Sequence, residues 1–214
     1  MKKSLFLLGL SLLSLKGNAE SGTVILYGKP NQIVTCVSPN GKWACGTQSY
    51  GSSYSVAFVW NLESNEITPL GMDTQGYAVS DNGVVVGLFS DPNVSSNGAP
   101  QSAAGYWKDG AWHSLGVESE QYQGYTAVGG IGCSISADGR YMGGMIYSTS
   151  TGSAVPVVWK DGELHAVLND GMAGQVQAIT NDGTLYGGWG YTSERYDTRQ
   201  PVLWSADGVT TVLP

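Results

Sequence analysis

From about residue 23 onward, short runs of β-forming residues alternate with clusters of Ser, Asn, Asp and Gly. Four stretches share one layout: VSPNGKWACG, VSDNGVVVGL, ISADGRYMGG and ITNDGTLYGG. In each, a β-branched residue and a Ser or Thr lead into Asn-Gly or Asp-Gly, and more β-formers follow. That pattern predicts strand, tight turn, strand. Asn and Asp tolerate unusual φ, Gly supplies positive φ, and the hairpin twists in the right hand. No stretch beyond the N-terminal segment sustains a helical period.

A second block follows each of the four. These blocks are SVAFVWNLESNEITPLG with Trp60, AAGYWKDGAWHSLG with Trp107, PVVWKDGELHAVL with Trp159 and PVLWSADGVTTVLP with Trp204. The turn glycines Gly41, Gly83, Gly139 and Gly183 are 42, 56 and 44 residues apart. A period in that range suits a four-stranded propeller blade with loop insertions. Each repeat then reads as two hairpins. Strand three ends at the Trp, whose large face is expected to wedge between sheets while its N–H finds an acceptor. The Gly pairs on strand two, such as Gly143-Gly144, are expected to allow close backbone approach.

The fold class expected is therefore all-β: a propeller-like array of about four four-stranded antiparallel blades. The repeats run over 33–71, 76–116, 131–168 and 175–214, inside a domain covering 20–214. Residues 23–27, TVILY, look like a spare fourth strand. A compact ring, an open arc and a piece of a longer array all remain open as arrangements.

VSDNGVVVG followed by a W-x-x-G-x-x-x-x-L-G block resembles the HAF-type extracellular repeat of exported bacterial proteins, from about residue 33 to 214. The first repeat departs from the pattern at Cys45, where the others carry Gly, and at NLESNE, where they carry a KDG-like turn. The resemblance implies a β-propeller-like fold and export. It brings no catalytic residue to any position of this chain.

The N-terminus changes the picture of compartment. Lys2 and Lys3 precede an apolar run from Leu5 to Leu15, and Gly17 and Ala19 stand at −3 and −1 of a cleavage point. Residues 1–19 read as a signal peptide, since a membrane-spanning helix wants about 20 apolar residues. The expected location is secreted, periplasmic or at the cell surface, with no transmembrane segment after signal removal. Export permits disulfides. A tight turn centred on Asn40-Gly41 sets Cys36 opposite Cys45, so those two form a possible disulfide; two free thiols packed as small hydrophobes is the other reading. Cys133 is left over and expected to be buried.

The composition holds 31 Gly, 12 Tyr and 7 Trp with only 13% charged residues and a net charge of −7. No basic run occurs, which argues against a nucleic-acid partner. Antiparallel order sends the short turns to one end of the blades. The long segments between strands two and three, and the links between blades, go to the other end. Variable loops on a rigid scaffold commonly carry binding. Their Tyr- and Ser-rich composition is that of adaptable recognition surfaces. Tyr50, Tyr54, Tyr122, Tyr125, Tyr191 and Tyr196 offer platforms for a sugar or a partner, and Arg195, Asp197 and Arg199 offer polar contacts. The plainer reading is that they decorate soluble loops.

Enzyme readings have less behind them. His113 and His165 occupy matched repeat positions, which points to a structural role. Asp81, Asp109, Asp138, Asp161, Asp182 and Asp207 are turn residues by register. Glu118, Glu120 and Glu194 lie in long segments with nothing to pair them as glycosidase carboxylates. SADG and TNDG offer too few oxygens in series for calcium, and no Cys or His spacing suggests zinc. No cofactor or metal is expected. The sequence thus supports an exported, non-catalytic binding or scaffolding module with an extracellular glycan or envelope protein as partner. The alternatives are a propeller hydrolase acting on glycans and a structural fragment of a larger envelope protein.

Overall fold

The computed structural model describes residues 31–96, 99–115, 120–122, 125–148, 152–192 and 195–214. Residues 1–19, read above as a signal peptide, and residues 23–27, read as a spare strand, lie outside the described residues. Four antiparallel sheets follow one another along the chain. Sheet one contains β1 (Gln32–Val37), β2 (Trp43–Tyr50), β3 (Tyr54–Asn61) and β4 (Glu66–Met72). Sheet two contains β5 (Gln75–Val79), β6 (Val85–Ser96), β7 (Ala99–Lys108) and β8 (Ala111–Ser114). Sheet three adds a short leading strand: β9 (Glu120–Tyr122), β10 (Tyr125–Ile135), β11 (Tyr141–Ser148), β12 (Ser153–Lys160) and β13 (Glu163–Val167). Sheet four contains β14 (Gly174–Ile179), β15 (Leu185–Thr192), β16 (Arg195–Ser205) and β17 (Thr210–Val212). The expected all-β, propeller-like array is what the chain forms.

The core lies between sheets. Cys45, Ala57, Val59 and Leu70 of sheet one meet Val79 and Val85 of sheet two. Val84, Val86, Ala104 and Leu115 of sheet two meet Met142, Ile146, Val155, Val157 and Trp159 of sheet three. Val158 and Leu168 of sheet three meet Val176, Tyr186, Val202 and Trp204 of sheet four. Sheets two and three thus bury two faces, one against the predecessor and one against the successor. Among the described residues no core cluster joins sheet four back to sheet one.

The recurring Trp does wedge between sheets: Trp159 and Trp204 are fully buried, each against the preceding sheet. Their indole nitrogens, however, reach no acceptor. Each ring sits in a cluster of apolar residues, and packing there outweighs the hydrogen bond that the sequence led us to expect. Trp60 and Trp112 do donate, to Asn65 Oδ1 at 3.1 Å and to the Leu70 carbonyl at 2.6 Å.

The strand-two glycines have a steric cause. A Cβ at Gly46, Gly87, Gly144 or Gly188 would run into a strand-one carbonyl, from Ile33, Gln75, Ile131 and Gln175 in turn. Opposite them strand one carries a bulge, between Val34 and Cys36, Gly76 and Ala78, Gly132 and Ser134, and Val176 and Ala178. An extra residue bends the strand and tightens its twist. The first turn of sheet two is one residue shorter than the others: Ser80 N–H meets the Val84 carbonyl, whereas Ser136 N–H meets that of Tyr141. The structural counterparts of Cys45 are therefore Val86, Gly143 and Gly187, which corrects the sequence alignment at that position.

The first turn also differs from the two-residue form expected at Asn40-Gly41. Gly41 N–H donates to the Ser38 carbonyl at 2.9 Å, Pro39 and Asn40 lie between, and Gly41 takes φ 71. Ser38 Oγ donates to Asn40 Oδ1 at 2.7 Å, and Ser136 and Thr180 repeat this with Asp138 and Asp182. The Asp and Asn residues of these turns are thus consumed in holding their own loops. The KDG turns are the two-residue kind, with positive φ at both Asp109 and Gly110 and at both Asp161 and Gly162.

Candidate binding face

Successive sheets are tied at the short-turn end. Asn40 N–H donates to Asp81 Oδ1 at 2.8 Å, and Asp81 N–H donates to the Ala137 carbonyl at 2.8 Å. Ala137 N–H then donates to Asn181 Oδ1 at 2.9 Å. A continuous hydrogen-bonded rim results, and its polar groups are occupied. Arg140 and Asp161 add a two-pronged ion pair at this end, with Nε–Oδ1 3.0 Å and Nη2–Oδ2 2.9 Å. That hydrogen bond holds the exposed Asp161 carboxyl below its ordinary range. Among the described residues, no group of His, Cys, Asp and Glu is placed to hold a metal ion.

At the opposite end the long polar segments are mostly not loops. They prolong strands two and three into extended hairpins, with pairing carried out to Tyr50–Tyr54, Ser96–Ala99, Ser148–Ser153 and Thr192–Arg195. The link ahead of sheet three also folds into a hairpin, β9 on β10. Alternating Tyr, Thr and Ser favour such pairing once the hairpin root is fixed. Thr74 fixes one root: its Oγ1 accepts the Ala57 N–H at 2.8 Å and donates to the Gly71 carbonyl at 2.7 Å. Asn169 fixes another from the turn after β13, donating from Nδ2 to the Tyr191 carbonyl at 2.9 Å.

The expected site residues fall on these hairpins. Tyr50 and Tyr54 are cross-strand partners near the first tip, stacked with ring centroids 4.6 Å apart and 42% and 37% exposed. Tyr122 and Tyr125 are likewise cross-strand partners, on β9 and β10. Their side chains, and those of Arg195 and Tyr196 at the start of β16, lie outside the described residues, as do Glu118 and Glu194. Tyr191 meets the edge of Trp189 at 6.0 Å, and the Arg199 guanidinium lies over the Trp189 ring at 4.2 Å. Trp189 Nε1 donates to Gln175 Oε1 at 3.1 Å, which fixes the indole.

Trp189 was missed by the sequence reading because GGWG looked like strand interior. The W-x-Y spacing of Trp189 and Tyr191 was the available signal, since residues two apart share a strand face. A guanidinium over an indole is a cation–π contact, and an aromatic ring held by such a partner presents a preformed surface. His113 and His165 are ring-packing groups, beside Tyr106 at 4.9 Å and Tyr141 at 6.0 Å.

The register brings Cys36 and Cys45 opposite one another, and both are free thiols. Burial pushes the Cys45 thiol up to about 12. Cys133 is only partly buried, yet desolvation also raises it to about 11, and Gln175 Nε2 lies 2.9 Å from its sulfur.

Comparison with solved structures confirms the fold. TolB from Acinetobacter baumannii matches with TM-score 0.56 at 13% identity, over 85% of this chain and 43% of that one. A putative TolB from Agrobacterium tumefaciens matches with TM-score 0.54 at 13% identity, over 82% and 62%. The β-propeller domain of the trilobed protease from Pyrococcus furiosus, described as having an open velcro topology, matches with TM-score 0.50 at 10% identity, over 86% and 56%. No family model and no curated protein matches the chain. The chain spans roughly half the length of these propellers, between 43% and 62%, and what it shares with them is the β-propeller fold.

Proposed function

We propose that this chain is an exported, non-catalytic binding or scaffolding module of the cell envelope that uses the extended-hairpin end of its sheets to hold a glycan or a protein partner. The observation that carries the reading is the set of exposed and half-buried rings on rooted hairpins. The Tyr50–Tyr54 stack and the Trp189–Tyr191–Arg199 group are aromatic surfaces fixed by backbone pairing and side-chain hydrogen bonds. Rigid Tyr and Trp give contact area at low entropic cost. The hydroxyl-rich Ser and Thr around them suit a sugar, whose apolar face stacks on a ring while its hydroxyls exchange hydrogen bonds. Export is supported by the basic, apolar and small-residue order of residues 1–19, and by the resemblance to the HAF-type repeat. At the short-turn end the polar groups are occupied in holding loops and neighbouring sheets.

The test is binding of the purified protein to an array of neutral and acidic oligosaccharides, with Trp189→Ala and Tyr54→Ala as paired variants. Loss of about tenfold in affinity for each aromatic removed is the expected outcome, the scale of one stacking contact. Unchanged binding in both variants would exclude these rings as the site. Product released from the bound sugar would replace the binding reading with a hydrolytic one.

A further inference from the structure

The first strands of the four sheets lie side by side, β1 by β5, β5 by β10 and β10 by β14. Each carries its bulge at the same position, so the extra residue is Thr35, Tyr77, Cys133 or Gln177 in turn. A bulge takes a residue out of the ladder and re-aims its side chain. Three of the four reach the next sheet. Thr35 Oγ1 donates to the Gly76 carbonyl at 2.7 Å. Burial pushes the Tyr77 phenol up, and Cys133 and Tyr147 of sheet three lie near enough to push it further. Cys133 Sγ accepts from Gln175 Nε2 at 2.9 Å. From Gln175 the row continues to Trp189, whose N–H it accepts, with Tyr191 at the edge of the indole and Arg199 over its face. Tyr147 and Tyr191 are matched, each three residues beyond the close-packed glycine of its strand, Gly144 or Gly188. Tyr147 is 42% exposed, and Tyr77, Gln175 and Trp189 are half-buried.

We infer that this row is one binding strip, running from Tyr77 and Tyr147 across Gln175 to Trp189, and that it takes an uncharged oligosaccharide chain along its length. The inference rests on the reading of Trp189 as part of the binding surface, and adds a second aromatic platform on sheets two and three. Rings stand at both ends of the strip with an amide between them, so sugar rings stack at the ends while their hydroxyls meet the amide and the phenols. The four first strands contain no Asp, Glu, Lys, Arg or His, so they offer nothing to complement a charged chain. The cation beside the strip, Arg199, faces the Trp189 ring. Bulges blunt a strand edge against pairing with another chain. A peptide therefore finds a poor main-chain ladder here, and the side chains are what the strip presents. Packed sheets stand about 10 Å apart, so a strip that crosses sheets two, three and four is longer than a single sugar ring.

The test is isothermal titration of protein purified from cells expressing the full chain. The probes are disaccharides and hexasaccharides of glucose and of N-acetylglucosamine, a glucuronic acid hexasaccharide, and an extended peptide of Ser and Thr. A neutral hexasaccharide is expected to bind at least ~10-fold more tightly than its disaccharide, the scale of one added stacking contact. Tyr147→Ala should remove that gain and leave the disaccharide, held at Trp189, unchanged. Trp189→Ala should weaken both lengths. Tyr147 is exposed, so its variant is expected to melt with the parent. Equal affinity for the two lengths, or a hexasaccharide indifferent to Tyr147→Ala, overturns the strip, while a loss in Trp189→Ala still upholds the binding reading. Tighter binding of the glucuronic acid hexasaccharide or of the peptide overturns the choice of ligand. Hexasaccharide binding indifferent to both variants, or no binding of any sugar, overturns the strip and the Trp189 surface together.

Discussion

Sheets three and four are built from the same repeat, yet their successor faces have different fates. Tyr141, Gly143, Val158 and Leu168 are covered by the next sheet; Leu185, Gly187, Leu203 and Leu213 are not. The residue types scarcely differ. Burial in this molecule is therefore a property of position in the array as much as of side-chain identity, as expected where each unit contacts only its neighbours. The same hydrophobe is core in one sheet and surface in the next.

The strongest way to break this comparison is to charge each face in turn. Val158→Asp places a carboxylate in a fully buried interface and should lose at least about 3 kcal/mol, or fail to fold. Leu203→Asp, measured by denaturant titration at high dilution, should lose about 1 kcal/mol or less. Equal losses would show that something covers sheet four.

The glycines give a smaller contrast. Gly143→Ala drives a methyl into Val176 and Ile179 and should cost about 1–3 kcal/mol. Gly187→Ala should fall within about 0.5 kcal/mol of the parent.

Thiol chemistry sharpens the same point. Cys45 holds in sheet one the position of Gly143 and Gly187, and burial raises it from 9.0 to about 12. It should resist Ellman's reagent in the native protein, whereas Gly187→Cys adds a thiol that reacts readily. Because the folded value is raised, the stability contributed by the neutral thiol is complete below pH 9.0 and is lost as pH rises toward about 12. The same titration in denaturant should count three thiols. A count of one would mean that Cys36 and Cys45 are bonded.

The smallest effect is reserved for the short-turn end. Arg140→Gln removes the exposed pair with Asp161 and should leave the melting temperature within measurement error, since such pairs are screened and contribute little.

Much of the architecture was legible because local chemistry and global order agree. Asn-Gly and Asp-Gly turns fix where strands reverse, and the Trp at the end of strand three marks the buried wedge. What the sequence obscured came from geometry that no local pattern encodes. The one-residue-shorter turn at Ser80–Val84 slides the alignment of sheet two, so Cys45 corresponds to Val86 and not to Gly87. The polar segments around Tyr50–Tyr54 and Thr192–Arg195 read as loops because their side chains are hydrophilic on both faces. Pairing of their backbones, anchored by Thr74 and Asn169, makes them strands. Trp189 escaped notice for the reverse reason: it sits in an apolar run yet belongs to an aromatic cluster with Tyr191 and Arg199. The orphaned N–H groups of Trp159 and Trp204 follow from packing that only the assembled sheets reveal.

The rim of hydrogen bonds running from Asn40 through Asp81 and Ala137 to Asn181 fastens the sheets at the short-turn end. The chain itself joins them at the other end, where Thr74 and Asn169 hold the links to the neighbouring hairpins. Each row of strands is thus pinned at both margins, like slats between two rails, and the hairpin tips project from a frame that holds their spacing.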